Sequence, residues 1–364
     1  MGESPFLVAD KMNFQQALLM WYQVHQRKLP FRESGDPYHI WISEIMLQQT
    51  QMDTVLPYYE RFMKAFPTVF DLAKAPQEQV MRLWAGLGYY SRARNLHKCA
   101  RVLVDEFQGR FPEDYAQALK LPGIGPYTAG AVLSIAYNKK IPAVDGNVLR
   151  VYSRLFNSHA DIGEVKNKKA IENKIRQLIP ENARDFNQAM MELGALICLP
   201  KNPKCEICPI NNSCQAKQLS IQNELPIKSK KAINKKIPIA VGIIRRSDQI
   251  LITKTDTHLL KGLWAFPTAQ GIDQDDAKSN LLSALKDIPI NIRKIGDSNN
   301  VFTHITWQMS VYEIQYPEAL QESSTQPYDS GNRMSTTKEK HWVTKDELPD
   351  YPMATAFKKL IQLI

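Results

Sequence analysis

Four of the five cysteines in this chain of 364 residues lie in one short segment, CLPKNPKCEICPINNSC. They are Cys198, Cys205, Cys208 and Cys214. Cysteine thiolates bind soft metals, and the central C-x2-C pair is common to zinc sites and iron–sulfur sites. The spacing C-x6-C-x2-C-x5-C therefore predicts a metal site, with zinc and an iron–sulfur cluster as alternatives. The fifth cysteine, Cys99, is interpreted as an ordinary buried thiol.

Two glycine-containing turns indicate a second kind of chemistry. The segment LPGIGPYTAG places Gly123 and Gly125 directly before a predicted helix. Glycine lets a backbone approach a phosphate closely, and the free amides at a helix N-terminus attract an anion. The turn GLGYYSRARNL (residues 86–96) combines two tyrosines with Arg92 and Arg94, a mixture suited to nucleic acid. Both turns favour contact with a DNA backbone, although a helix–helix turn that needs glycine is the plain alternative.

Two kinds of architecture must position these groups. Residues 12–215 have apolar positions at helical spacing and are predicted to be mainly helical. Residues 216–237 are lysine-rich and read as a basic linker, whereas residues 238–364 contain β-branched and aromatic runs typical of an α+β domain. Residues 320–339 are polar and predict a mobile insertion. We expect a multidomain protein with a helical domain at 1–215, a linker and an α+β domain.

Composition sets limits on location and partners. The net charge of +9 and the pI near 9.1 favour association with a polyanion. The N-terminal segment has no signal-peptide pattern, and no apolar run approaches the roughly 20 residues that span a bilayer. We therefore expect a cytoplasmic protein without a membrane segment. In that compartment thiols stay reduced, which favours a metal site over disulfides.

Together the motifs resemble the A/G-specific adenine DNA glycosylases of the MutY family, over nearly the whole chain. The motifs are LPFRESGDPYHIWISEIMLQQTQ (29–51), GLGYYSRARNL (86–96), LPGIGPYTAG (121–130), PAVDGNVLRV (142–151), the cysteine loop (198–214), NELPIKSKK (223–231), GLWAFP (262–267) and FTH (302–304). The resemblance implies an all-α helix-hairpin-helix glycosylase domain followed by a Nudix-like domain. It also implies that the four cysteines hold a [4Fe–4S] cluster, as in the endonuclease III glycosylases.

The implied activity is removal of adenine mispaired with 8-oxoguanine or guanine in bacterial base excision repair. Double-stranded DNA is then the partner, and we expect the enzyme to act as a monomer on the nucleoid. Cleaving an N-glycosidic bond needs a proton for the leaving base and a negative charge beside the sugar cation.

Two carboxylates can meet these needs. Glu44 lies in the apolar segment YHIWISEIMLQQT, where desolvation would raise its pKa and keep a proton available for adenine N7. An exposed helix glutamate is the alternative. Asp145 stands where an N-cap residue would precede the helix GNVLRVYSRLF. The resemblance implies that Asp145 stabilises the oxocarbenium ion, and that Tyr127 and Asn147 line the same pocket.

The resemblance also assigns residues that hold the DNA. Arg27 is expected to contact the flipped adenine, and Arg32 is expected to support it. Gly123 and Gly125 are expected to grip the DNA backbone as the hairpin of the helix-hairpin-helix motif.

Adenine in a duplex must rotate out of the stack before it can enter a pocket, and a side chain should fill the gap. By their place in the family's motifs, Gln49 and Tyr89 are predicted to fill it, with Thr50 and Leu87 beside the opposite base. Core packing or an ordinary helix surface is the alternative for each. The adjacent Tyr90 could exchange roles with Tyr89.

The C-terminal domain resembles a Nudix fold without its metal box. The segment after GLWAFP, TAQGIDQDDAKSNLLSALKD, lacks the glutamate cluster that would hold Mg²⁺, so pyrophosphohydrolase activity is not expected. In the family a Phe-Ser-His loop reads 8-oxoguanine. The matching residues are Phe302, Thr303 and His304, so the hydroxyl is kept with an added methyl group.

Two other functions stay open at this stage. An endonuclease III-like glycosylase and lyase acting on oxidised pyrimidines would need a lysine in place of Tyr127 to form a Schiff base. A binding module that uses the cluster only to sense redox state would be expected to lack Glu44 or Asp145.

Overall fold

The computed structural model describes residues 8–229, 234–257, 259–285, 291–302, 305–315 and 339–364. The chain forms two compact units: a first unit of Met1–Ala73 and Lys98–Lys230, and a second unit of Lys74–His97 and Lys231–Ile364. No helix within the described ranges is both long and apolar enough to cross a membrane.

Helices dominate the chain as far as Gln218. In chain order they are α1 (Val8–His25), α2 (Pro30–Glu33), α3 (Pro37–Leu47), α4 (Met52–Ala65), α5 (Val69–Lys74), α6 (Gln77–Trp84), α7 (Ser91–Phe107), α8 (Tyr115–Ala118), α9 (Pro126–Tyr137), α10 (Gly146–Leu155), α11 (Val165–Leu178), α12 (Ala183–Leu196) and α13 (Gln215–Gln218). Single 3-10 turns at Cys205–Ile207 and Asn211–Ser213 shape the cysteine loop. The predicted all-α class of this part is confirmed.

Helices α3 and α9 pack together and are buried over most of their surface. Helix α3 starts where the Asp36 side chain accepts a hydrogen bond of 2.7 Å from the Tyr38 amide. Helix α9 lies so close to the segment before α10 that a Cβ on Gly130 would stand 2.0 Å from the Pro142 oxygen. These contacts fix the backbone on either side of the predicted catalytic carboxylates.

The second unit contains a mixed sheet. Its described strands are β1 (Lys235–Arg246), β2 (Gln249–Lys254), β3 (Trp264–Ala265), β4 (Thr268–Gln270), β5 (Asn291–Val301), β6 (Ile305–Gln315) and β7 (Lys340–Thr344). The strand order is β3-β2-β1-β6-β5, with β4 paired to β1 and β7 paired to β2. β1 and β6 are parallel, and the other pairs are antiparallel. Of the predicted mobile insertion, residues 320–338 lie outside the described residues.

Helix α14 (Gln274–Ser283) covers one face of this sheet, and the short α15 (Thr355–Lys358) lies near the C-terminus. Ala277 and Leu281 of α14 pack into a buried cluster with Ile244 and Ile314 of the central strands. Strands and a covering helix confirm the predicted α+β class.

Residues 74–97 belong to the second unit and are bonded to its strand β3 and the preceding turn. The Trp264 indole donates a hydrogen bond of 3.1 Å to Glu78. The Arg94 guanidinium donates one of 2.8 Å to the Lys261 oxygen. The segment that carries the GLGYY turn is therefore anchored to the C-terminal sheet.

Part of the predicted linker is bonded to the first unit. Leu225 O accepts from Arg154 Nε at 3.0 Å, and Ile227 O accepts from the Ile162 amide at 2.9 Å. Strand β1 begins at Lys235. The domain boundaries themselves stay a prediction.

Candidate active site and cysteine cavity

Glu44 is a buried carboxyl inside the first unit, with 1% of its surface exposed. The Tyr127 phenol donates a hydrogen bond to it, and the Tyr127 oxygen also lies 3.5 Å from the Met191 sulfur. Burial raises the pKa of Glu44, while the Arg32 charge and the Tyr127 hydrogen bond lower it in part. Glu44 therefore keeps its proton at pH values at which an exposed glutamate has already lost it.

Tyr127 is held as a neutral donor. Burial raises its pKa well above the usual value, and the charges of Glu44 and Asp145 act in the same direction. Because a phenol at this position keeps its proton, it stabilises the ionised form of Glu44 after the proton has been transferred.

Asp145 caps α10, as its sequence position predicts. Its Oδ1 accepts from the Val148 amide at 2.7 Å, and its Oδ2 accepts from Asn147 Nδ2 at 2.8 Å. Burial raises the pKa of Asp145, and the hydrogen bonds from Val148 and Asn147 oppose that rise. The negative charge of Asp145 in turn raises the pKa of Glu44, so the two carboxyls belong to one electrostatic site.

Asn147 connects this site to the cysteine loop through Arg150. Arg150 Nη2 donates to Asn147 Oδ1 at 2.8 Å and to the Gly194 oxygen at 2.9 Å. Its Nε donates to the Cys198 carbonyl at 2.8 Å. Gly194 leaves the room that Asn147 occupies, since a Cβ there would stand 2.6 Å from Asn147 Cβ.

Arg27 and Arg32, both predicted to serve the adenine pocket, converge on Glu192 of α12. Arg27 Nε lies 2.5 Å from Glu192 Oε1, and Arg32 Nη1 lies 3.4 Å from Glu192 Oε2. Burial alone would raise the pKa of Glu192, but the hydrogen bond from Arg27 and the charges of both arginines lower it overall. Glu192 is a fixed anion that holds two cations in place.

Sequence reasoning missed α12 as a part of the site. Besides Glu192 and Gly194 the helix carries Gln188, one turn before Glu192, with 4% of its surface exposed. Gln188 Nε2 is 3.4 Å from the Arg184 oxygen, but its Oε1 has no hydrogen-bond partner among the residues that the structure describes. A signal was available in the sequence, because FNQAMMELGAL places polar residues four apart within an apolar helix.

The predicted gap-filling residues are on the surface of their units. Gln49, in the first unit, is exposed at φ 59°, and Tyr89, in the second, is 42% exposed at φ 47°. Leu87 and Tyr90 are buried at 5% each. Of the two adjacent tyrosines, the exposed one is therefore Tyr89, the residue chosen from the motif. Thr50, beside Gln49, is partly exposed.

The glycine hairpin before α9 has the expected backbone. Gly123 adopts φ +77°, a conformation that favours glycine, and Gly125 is the N-cap residue of α9. Pro126 occupies the first helical position. The turn is exposed at Gly123, so the first amides of α9 are placed for an anion such as a DNA phosphate.

Phe302 of the predicted 8-oxoguanine loop packs edge-to-face on Trp307, with ring centroids 4.9 Å apart. Its amide donates to the Ile305 oxygen at 2.7 Å. Thr303 and His304 lie outside the described residues.

The four loop cysteines line one cavity, together with Arg154 and Lys217 among others. All four are free thiols. No three His, Cys, Asp or Glu side chains in the described ranges are placed to hold a single metal ion. Four thiols around one cavity supply the ligand set that a [4Fe–4S] cluster takes.

Cations balance the negative charge that four thiolates would bring. Arg154, which is 2% exposed, donates from Nη1 to Cys198 Sγ at 3.3 Å. Burial raises the pKa of Cys208 to about 12, so this thiol ionises only when a metal replaces its proton. Burial also raises the pKa of Cys205, and the Arg154 and Lys217 charges oppose that rise in part.

Sequence comparison places both units in known families. The HhH-GPD superfamily of base excision DNA repair proteins matches residues 42–181, and the iron–sulfur binding domain of endonuclease III matches residues 198–214. A NUDIX domain matches residues 240–363. The fold and the site thus define a base excision DNA repair glycosylase that carries an iron–sulfur cluster.

Relatives narrow this class. The adenine DNA glycosylase of Buchnera aphidicola (Schizaphis graminum) is 38% identical over 80% of this chain and 85% of its own length. The adenine DNA glycosylase of Mus musculus is 34% identical over 98% of this chain and 78% of its own length. The chain therefore belongs to the adenine DNA glycosylase family.

Solved structures agree for the helical part. A thermostable thymine-DNA glycosylase superposes with a TM-score of 0.53 at 31% identity, covering 58% of this chain and 98% of that one. A non-covalent endonuclease III–DNA complex gives a TM-score of 0.50 at 24% identity, with 58% and 98% covered, and so shares the fold. Together with the family match, these structures confirm the prediction of a helix-hairpin-helix glycosylase.

Proposed function

We propose that this enzyme removes adenine opposite 8-oxoguanine or guanine in duplex DNA, by hydrolysis and without cutting the strand. The observation that carries the proposal is the buried Glu44 carboxyl, bonded to Tyr127 and electrostatically coupled to Asp145. In such a pair one carboxyl donates a proton and the other, as a carboxylate, stabilises positive charge, as in glycosidases.

Glu44 transfers its proton to N7 of the flipped adenine. The C1′–N9 bond then breaks, its electron pair leaves with adenine, and positive charge develops on the sugar. Asp145 faces this charge as a carboxylate. Burial raises its pKa, but the positive charge on the sugar favours the ionised form. A water oxygen bonds to C1′, and the proton it loses returns to Glu44.

Helix α12 is proposed to recognise the base. The buried Gln188 Oε1 has no partner among the described residues and can accept a hydrogen bond from the N6 amino group of adenine. A 6-keto purine has no donor at this position, and it would leave the buried oxygen unsatisfied. Glu192 keeps Arg27 and Arg32 beside the same helix.

Tyr127 is the reason why we expect excision to leave the DNA strand intact, with strand breakage only in a separate step. A phenol bonded to a carboxyl cannot form the Schiff base that a lysine at this position would form. The lyase alternative is therefore not favoured. Cys198, Cys205, Cys208 and Cys214 would hold a [4Fe–4S] cluster, which would tie the cysteine loop together so that its lysines can face phosphate.

The second unit is proposed to read 8-oxoguanine through the loop at 302–304. A hydroxyl and an imidazole there can hydrogen-bond a base edge. Because the first unit holds Glu44, Asp145 and the cysteine cavity within one chain, we propose that the enzyme acts as a monomer on chromosomal DNA.

Single-turnover excision on end-labelled duplexes tests the proposal, with adenine opposite 8-oxoguanine, guanine or thymine. We expect excision for the first two, fastest opposite 8-oxoguanine, and strand breakage only after alkali. Glu44→Gln keeps the shape without the transferable proton, so the rate should fall by at least roughly 10² while binding changes by a few fold.

Two results would contradict the proposal. Breakage without alkali, together with a borohydride-trapped adduct, would favour the lyase. A Glu44→Gln enzyme with a parental single-turnover rate would exclude Glu44 as the acid.

A further inference from the structure

The turn between α6 and α7, residues 85–90, holds its backbone in an unusual conformation. Gly86 and Gly88 adopt φ 118° and φ 71°, and Tyr89 adopts φ 47°. Glycine tolerates such values, but a tyrosine in the left-handed region is strained. Neighbouring groups must therefore hold Tyr89 in this conformation.

Arg92, in the first turn of α7, supplies much of that support. It is only 8% exposed, and its Nη2 donates to the Leu87 oxygen at 3.1 Å and to the Gly88 oxygen at 3.2 Å. The Trp84 indole donates to the same Gly88 oxygen at 3.1 Å. The two carbonyls before Tyr89 are thus fixed by charged and neutral donors.

The guanidinium also lies between two rings. The Arg92 Cζ atom is 5.2 Å from the centroid of the Trp84 ring and 5.4 Å from the centroid of the Tyr89 ring. Burial lowers the pKa of Arg92 to about 10, so it remains a cation at neutral pH. A buried cation is attracted to a ring face, so these contacts help to hold the Tyr89 backbone in its strained conformation.

The sequence predicted only that Arg92 and Arg94, together with two tyrosines, suit nucleic acid. The structure directs the Arg92 side chain towards the carbonyls of its own turn. The exposed group of the turn is Tyr89.

We propose that Arg92 is a positioning residue, which fixes the turn at 85–90 so that the Tyr89 ring is presented to the base stack. This inference rests on the proposed role of Tyr89 in filling the gap left by adenine. Arg92 acts through Tyr89 and contacts neither the base nor the phosphate.

A double-mutant cycle in the full-length enzyme tests the proposal with Arg92→Met, Tyr89→Ala and the double variant. The readouts are the single-turnover excision rate opposite 8-oxoguanine and the fluorescence of 2-aminopurine at the target, which rises when the base leaves the stack. We expect each single change to slow excision by roughly tenfold, and the double variant to stay within about threefold of Tyr89→Ala. Independent effects would give about a hundredfold loss and would overturn the proposal.

The salt dependence of binding separates positioning from phosphate contact. If Arg92 neutralised a phosphate, Arg92→Met would reduce the slope of log Kd against log salt by about 1, which would also overturn the proposal. We expect the slope to remain parental. Arg101→Met, an exposed arginine on the same helix, is the matched control and should leave flipping and excision unchanged.

Two further measurements keep the outcomes distinct. If Arg92→Met folds poorly, Trp84→Phe is a second test. It removes the donor to the Gly88 oxygen and shortens the ring beside Arg92, and it should reduce flipping in the same direction but by less than Arg92→Met. If Tyr89→Ala itself leaves flipping intact, the proposed role of Tyr89 fails. If Tyr89→Ala impairs flipping while Arg92→Met does not, only the role of Arg92 fails.

Discussion

The phenol of Tyr127 donates a hydrogen bond to the carboxyl of Glu44, in a pocket where burial raises the pKa of both groups. A donor to the ionised form lowers the pKa of a carboxyl, so Tyr127 limits how far burial can raise that of Glu44. The proposed reaction needs Glu44 protonated at its start and ionised at its midpoint, and this hydrogen bond favours the ionised state.

Tyr127→Phe should therefore shift the pH dependence of excision. Without the phenol the pKa of Glu44 rises further, so the fall in single-turnover rate on the alkaline side should move to higher pH. The maximal rate should fall, because the ionised Glu44 loses its donor. A pH–rate profile measures both effects. A shift to lower pH would contradict the assignment of Glu44 as the titrating acid.

The ion pairs of Glu192 with Arg27 and Arg32 predict that the stability of the protein depends on pH. Because the two arginines hold its pKa below the ordinary value of 4.5, the stabilisation is fully present above that value and is lost as the pH falls through the lowered pKa. Glu192→Gln should reduce the free energy of unfolding at pH 7 by about 1–3 kcal/mol, less than for a fully buried pair because Arg27 is partly exposed.

Urea denaturation at pH 7 and near pH 3 measures this difference, which should shrink in acid. Glu181→Gln is the control, since Glu181 pairs with Lys140 at 94% exposure and should matter little. An equal loss at both pH values would mean that Glu192 acts by packing alone.

Gly194→Ala should impair catalysis through Asn147. The added Cβ would stand 2.6 Å from Asn147 Cβ, so Asn147 or α12 must move. Overpacking of this kind costs about 1–3 kcal/mol, and a misplaced catalytic group of roughly 1 Å can cost up to about 10²-fold in rate. Single-turnover rates and thermal unfolding test both effects. Gly146→Ala, where a Cβ would meet nothing within 4 Å, controls for the loss of glycine in the unfolding measurement.

The cysteine cavity predicts the metal content. Protein purified without oxygen should be brown and contain about four iron atoms per chain. Cys208→Ser should lower that number and destabilise the loop, whereas Cys99→Ala should keep it, because Cys99 is a buried free thiol outside the cavity. Stoichiometric zinc in anaerobic material would contradict the cluster.

Local sequence was sufficient for features whose cause lies within a few residues. The cap at Asp145, the glycine turn before α9 and the cysteine loop each depend on backbone geometry over short windows, and the structure has all three. Strand β5 has no such local signal. It is a polar edge strand with exposed positions on both faces, so it lacks the apolar alternation that reveals a strand.

The sequence by itself determined the cysteine set and the two fold classes, because ligand spacing and helical or strand patterns are local, and its resemblance to a family selected the two carboxyls. Only the tertiary structure decided which groups surround those carboxyls. Glu192 is 165 residues from Arg27, and no periodicity links them. The side chain of Arg92 likewise turned inward while Tyr89 turned outward, since burial depends on what packs against a turn and not on the residues that form it.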